Sequence, residues 1–209
     1  HESPLRTASR LAFPAIVLAA ALWARLAPWS QIVGGDHPQI IGDSDPHYHV
    51  LRAERWLVGA PGAPWRDPAL DWPRGADVPW PPLFDAILAG TARAIEGPIV
   101  ERDDLVAVAA VLPVVFGLLF VALSAALGRR VLGPGHGWIT ALVVALVAAG
   151  VDPSRLGRAD QHVLETVLFT ALLVAFLPGS EQGRRVVPGL AASAIVALAF
   201  WSWMGSALH

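Results

Sequence analysis

Residues 105–127 read LVAVAAVLPVVFGLLFVALSAAL, an apolar run without a charge, preceded by Asp103 and Asp104 and followed by Arg129 and Arg130. About 20 consecutive apolar residues suffice to cross the roughly 30 Å hydrocarbon layer of a bilayer. This run meets that length alone. Working outward, further apolar runs occupy residues 11–27, 138–151, 163–177 and 187–207. Several are short, so as spans their ends must reach into the flanking loops. Composition agrees: of 209 residues 55% are hydrophobic and 15% charged, with a mean hydropathy of +0.52. Soluble domains carry about 25% charged residues. The pattern predicts an all-α integral membrane protein, a multi-pass helical bundle.

The first run follows Arg6 and Arg10, as in a signal peptide, but no small-residue cleavage site follows it, and Arg25 and Pro28 close it. It reads as a retained span. Residues 82–95 are the ambiguous segment, because they are short, carry Asp85 and Arg93, and follow Pro79, Pro81 and Pro82. If they do not span, then Arg6/Arg10, Arg129/Arg130 and Arg184/Arg185 all fall on one side, satisfying the positive-inside rule. They are therefore expected to lie at the membrane interface. The N-terminus is then cytoplasmic, and residues 28–104 and 152–161 form two loops on the external face. Five tryptophans of the first loop (Trp29, Trp56, Trp65, Trp72, Trp80) suit the interface. A net charge of −2 gives no reason to expect a nucleic-acid partner. The absence of cysteine excludes disulfides and thiolate chemistry.

Three constellations could carry chemistry. The first is Gly42-Asp43-Ser44-Asp45-Pro46-His47-Tyr48-His49 with Arg52 one turn on. Its carboxylates and imidazoles could hold a divalent cation. Equally, Asp45-Pro46 reads as an ordinary N-cap and N1 pair for a helix from 46 to about 58. The second runs from Asp152 through Arg155, Gly157, Arg158, Asp160 and His162 to Glu165. Asp160 and His162 offer two metal donors, and Arg155 and Arg158 could grip a phosphate. The alternative is that the arginines merely pair with Asp152 and Glu165. The third, residues 72–85, is a Trp- and Pro-rich turn that reads as structural, with Asp77 and Asp85 as its only ligand candidates.

Together these residues resemble the catalytic-subunit family of oligosaccharyltransferases, its archaeal type above all. Gly42 to Arg52 is similar to the family's Asp-Pro-Tyr-Tyr-His-x-x-Arg segment. Trp72 to Asp85 resembles its Pro-Pro-Leu-Phe-Asp stretch, and Gly157 to Glu165 its Gly-x-x-Asp-His-His-x-x-Glu motif, with Gln161 where relatives often carry His. The resemblance implies a GT-C type bundle with a long external first loop. It also implies a transferase moving a glycan from a polyprenyl-(pyro)phosphate donor to an asparagine of an acceptor polypeptide. Asp45 and Asp160 would be catalytic; Asp45, Asp160 and His162 would bind Mg²⁺ or Mn²⁺; Arg158 and Arg155 would bind the donor pyrophosphate. Asp43, His47, His49, Arg52 and Glu165 are accessory candidates. Residues 1–209 would form the N-terminal part of the transmembrane domain. The family's later catalytic glutamate and its acceptor-recognising soluble domain are expected beyond them, so the fragment is expected to be inactive alone. Two other readings stay open: a lipid-linked-sugar transferase acting on Ser/Thr or lipid, and a non-catalytic membrane scaffold or pore subunit.

Overall fold

The computed structural model describes residues 4–177 and 186–202, with residues 4–11 and 186–190 traced by backbone alone. The Arg184/Arg185 pair and residues 203–207 of the expected last span lie outside the described residues. Nine helices follow in order among the described residues: α1 (Pro4–Arg25), α2 (Trp29–Ile32), α3 (Ser44–Leu57), α4 (Leu83–Glu96), α5 (Arg102–Val131), α6 (Gly137–Leu146), α7 (Ala148–Val151), α8 (His162–Phe176) and α9 (Val186–Ser202). The small departure from an all-helical chain is an antiparallel pair of two-residue strands. In it β1 (Arg66–Asp67) meets β2 (Ala76–Asp77), with Arg66 opposite Asp77.

The decisive run became the central helix. α5 carries Asp103 and Asp104 in its first turn and Arg129 and Arg130 in its last, charges that complement the helix dipole at both ends. α1, α4, α6 and α8 pack against it. One core lies between α3, α4, α5 and α8 around Val50, Phe84, Leu88, Leu105 and Leu164. A second lies between α1, α5 and α6 around Val17, Val121 and Ala141. A third, smaller one (Ile32, Ala110, Val114, Leu156) sits where the two loops meet α5.

Among the described residues α5 is the one helix both long and apolar enough to cross a bilayer; α6 with the segment Ala148–Ser154 makes a second if that bent pair counts as one span. The apolar helices Ala12–Arg25, His162–Phe176 and Ala191–Ser202 are shorter. The fifteen residues of α8 rise about 22 Å at 1.5 Å per residue. The expected span at 138–151 is broken. The chain bends by 81° between α6 and the segment starting at Ala148, because Val147 is extended, with ψ 134°. Residues 83–96 do form a helix, but one that buries Leu83, Phe84, Asp85, Leu88, Ala89 and Ala92 inside the protein.

Candidate functional site

The first loop presents α3. Its helix begins two residues earlier than the cap reading predicts: Asp43 is the N-cap, and Asp45 lies in the first turn. Pro46 is tolerated there because the first four amides of a helix have no intrahelical acceptor to lose. Ser44 Oγ donates to Asp45 Oδ1 at 3.2 Å, and Asp43, Asp45 and His47 are all exposed.

The opposite face of α3 is a buried ionic seam. Asp85, fully buried, pairs with His49 Nδ1 at 2.6 Å and with Arg52 Nη1 at 2.8 Å. Arg52 also donates to the Trp80 carbonyl at 3.1 Å. The His49 ring meets Phe84 edge-on at 5.0 Å between centroids. One turn on, Arg55 Nη1 pairs with Asp67 Oδ1 at 2.5 Å, and Tyr48 donates to Asp67 Oδ2 at 2.9 Å. Burial raises the Asp67 pKa, but Arg55, the Ala69 amide and Tyr48 outweigh it and hold the carboxyl below its usual range. Burial, with Asp67 beside it, pushes the Tyr48 hydroxyl up to about 12. His49 and Arg52, accessory candidates by sequence, are thus engaged in holding α3 on α4. Asp67 and Arg55 are support that sequence reasoning assigned no role, and Asp85, a ligand candidate by sequence, is here the buried partner of His49 and Arg52. The spacing His49, Arg52, Arg55 was the available signal, since an inward cationic stripe on one helix face demands buried carboxylates.

The second loop is pinned by backbone bonds on three sides. Leu156 N donates to Arg25 O, Gly157 N to Ala110 O, and Ile41 N to Gly157 O, each at 2.9 Å. Gly157 has φ +85°, and a Cβ there would stand 2.5 Å from Ile32 Cδ1. Only glycine fits this left-handed, crowded position. The Ile41–Gly157 bond ties the first loop to the second. Immediately beside it, Arg158 Nη1 lies 3.6 Å from where a Cβ on Gly42 would be. The glycine-aspartate turn leading into α3 is therefore in contact with the arginine of the second loop.

Asp160 is buried and accepts from the His162 amide at 3.3 Å. His162 Nε2 stands 3.9 Å from Asp160 Oδ1, while its Nδ1 meets Glu165 Oε2 at 3.1 Å. The Glu165 bond raises the His162 pKa, burial opposes it, and the charges of Asp160, Glu165 and Asp45 add to the rise. Arg155 and Arg158 both approach Asp152, at 3.3 and 4.0 Å. Two guanidiniums share one half-exposed carboxylate, and the Nε atoms of both are buried without a hydrogen-bond partner among the described residues.

Among the described residues no three of His, Asp or Glu gather tightly enough to form a ready-made metal site. What exists is a pair, Asp160 and His162, in the loop that the Ile41–Gly157 bond joins to the turn before α3 and Asp45. Atoms 3.9 Å apart can share an ion about 2.1 Å from each. A histidine whose Nδ1–H is held by a carboxylate offers Nε2 to a metal in the usual way. Two carboxylates and one imidazole suit a hard to borderline divalent ion, so the donor set fits.

The chain superposes on the crystal structure of the Archaeoglobus fulgidus oligosaccharyltransferase in its apo form with a TM-score of 0.82 at 23% identity, over 98% of this chain and 25% of that one. It matches that organism's AglB in complex with an inhibitory peptide and a dolichol-phosphate at 0.81 and 22% identity, over 98% of this chain and 25% of that one. In sequence it is 31% identical over 166 residues to dolichyl-phosphooligosaccharide-protein glycotransferase 1 of A. fulgidus, and 28% identical to glycotransferase 2. Each alignment covers 79% of this chain and 26% of the relative. Residues 15–208 match the family model described as oligosaccharyl transferase STT3, N-terminal. The chain belongs to the STT3 family. It spans about a quarter of the length of these relatives.

Proposed function

We propose that this chain is the N-terminal part of a metal-dependent, multi-pass membrane glycosyltransferase of the GT-C type. It transfers a glycan from a polyprenyl-(pyro)phosphate donor to asparagine of an acceptor polypeptide. The observation that carries this reading is the meeting of the two loops. The Ile41–Gly157 bond, with Arg158 beside Gly42, joins the turn before α3 to the loop that carries Asp160 and His162, which supports a site shared with Asp45. The A. fulgidus complex with dolichol-phosphate and an inhibitory peptide supports the same pair of partners here.

Asp45, Asp160 and His162 would hold Mg²⁺ or Mn²⁺, which when bound neutralises charge developing on the departing pyrophosphate. Arg158 and Arg155 grip the phosphate oxygens, with Asp152 as their counter-charge until the donor arrives. Asp45, exposed at the head of α3, orients the acceptor amide. Glu165 keeps the His162 proton on Nδ1. Both loops stand on the external face, with the N-terminus in the cytoplasm.

The test is Mn²⁺ binding and glycan transfer to an Asn-x-Thr peptide by the full-length protein, with Asp160→Ala and Asp45→Ala beside it. Asp160→Ala is expected to weaken Mn²⁺ binding on the order of 10- to 100-fold, and Asp45→Ala to abolish turnover without unfolding. Unchanged metal affinity and transfer in both variants would sink the proposal, and transfer to Ser/Thr alone would move the enzyme to another acceptor class.

A further inference from the structure

Arg25 ends α1 and, by sequence, closes the first span. An arginine with that task alone would turn its guanidinium outward to the headgroups or water. Arg25 does the opposite and is fully buried. Its Nη1 donates to Ala21 O at 3.0 Å and Ala145 O at 3.2 Å, and its Nη2 to Gly150 O at 3.0 Å. Every acceptor it has among the described residues is a backbone carbonyl. Ala145 O lies in the last turn of α6, just before the extended Val147, and Gly150 O near the end of α7, just after it; carbonyls in the last turn of a helix lack an intrahelical donor.

The same place is where the second loop starts. Ser154 Oγ donates to Gly150 O at 2.7 Å, sharing the acceptor with Arg25, and Leu156 N donates to Arg25 O. Both side chains fit because α5 presents Gly117 there; a Cβ on it would lie 2.3 Å from Arg25 Nε and 2.6 Å from Ser154 Cβ. Arg25 thus grips the loop twice, by its side chain at Gly150 and by its backbone at Leu156. Gly157, next in line, passes the tie to Ile41 and the first loop.

We propose that Arg25 is a positioning residue for the candidate site. Its buried guanidinium holds the bend before the second loop, and so sets where Asp160 and His162 stand relative to Asp45. The claim about Asp160 and His162 rests on the function proposed above; the claim about the loop does not. A planar fork satisfies three carbonyls that a compact ammonium cannot, so lysine substitutes poorly at this position.

The experiment is amide exchange and Mn²⁺ titration on the full-length protein, comparing wild type with Arg25→Gln, Arg25→Lys and the milder Ser154→Ala. The expected result is exchange faster by about tenfold or more at Leu156, Gly157 and Ile41, with the amides of α5 unchanged. Mn²⁺ affinity falls on the order of tenfold in Arg25→Gln, less in Arg25→Lys and least in Ser154→Ala. Should Arg25→Gln fail to fold, the graded pair Arg25→Lys and Ser154→Ala carries the same comparison. Unchanged exchange in the second loop, or uniform acceleration over α1, α5 and α6 with metal affinity intact, overturns the proposal. If wild type binds no Mn²⁺, the metal reading fails, and the exchange pattern still decides the role of Arg25.

Discussion

Replacing Asp85 with alanine should loosen α3 by about 3 kcal/mol. The carboxylate is fully buried between Arg52 and His49, and Arg52 is itself 3% exposed. Removing one partner of such a pair strands a buried charge, which costs roughly 3–5 kcal/mol. Arg52 keeps the carbonyls of Trp80 at 3.1 Å and Pro64 at 3.4 Å, so the lower end of the range applies. The perturbation is local, and amide exchange in α3 measures it directly. At about 1.4 kcal/mol per decade, 3 kcal/mol means exchange faster by roughly a hundredfold at Val50 to Arg55. Arg52→Met should cost a comparable amount by stranding Asp85 on His49 alone. The double variant Asp85→Ala/Arg52→Met, which removes both charges and keeps an apolar stem, should cost less than either single change. Additive losses in the double variant, or exchange in Asp85→Ala within threefold of wild type, would refute the assignment of this pair as the anchor of α3.

Gly157→Ala combines a left-handed backbone with a Cβ 2.5 Å from Ile32 Cδ1. It should destabilise the loop junction by about 2–3 kcal/mol, read as lost protection of the Ile41 amide; unchanged protection contradicts the pinning described. The pKa of His162 is raised above its ordinary 6.5 by Glu165, against burial, with Asp160 and Asp45 adding to the rise. Its contribution to stability is therefore fully present below 6.5 and fades as pH climbs through the raised value. Metal binding runs the other way, since an ion needs the neutral nitrogen. Mn²⁺ affinity should begin to fall at a pH above 6.5 on acidification, and Glu165→Gln should shift that midpoint downward. A midpoint unmoved by Glu165→Gln would disconnect the pair.

The helices were legible because an apolar run states its own length, and α5 fulfilled that reading with its charged ends in place. The second loop was legible as a polar break between apolar runs, with Asp160 and His162 at a helix entrance. The bend at Val147 was not, because residues 138–151 contain no proline and only helix-compatible side chains up to Gly150. Val147 is extended there, and beside it Arg25, 120 residues earlier in the chain, donates to Ala145 O, a pairing that no local pattern encodes. The buried partner of His49 and Arg52 was hidden for a related reason. They sit beside Asp45 in sequence, and a dense set of polar residues reads as one site. A helix divides such a set between its faces, sending Asp45 outward and His49 and Arg52 to a carboxylate supplied by α4.

Two buried arginines therefore stand beneath the two halves of the candidate site, and their electrostatics differ. Arg52 under α3 is neutralised by Asp85, so that half resists perturbation of either charge by stranding the other. Arg25 under the second loop meets only carbonyl dipoles, and its charge stays uncompensated among the described residues. A buried cation held by dipoles alone is the weaker anchor, yet it sits beneath the loop proposed to receive the phosphates. The half of the site anchored by carbonyls should accordingly yield first when the protein opens, with exchange in residues 155–158 outrunning exchange in α3.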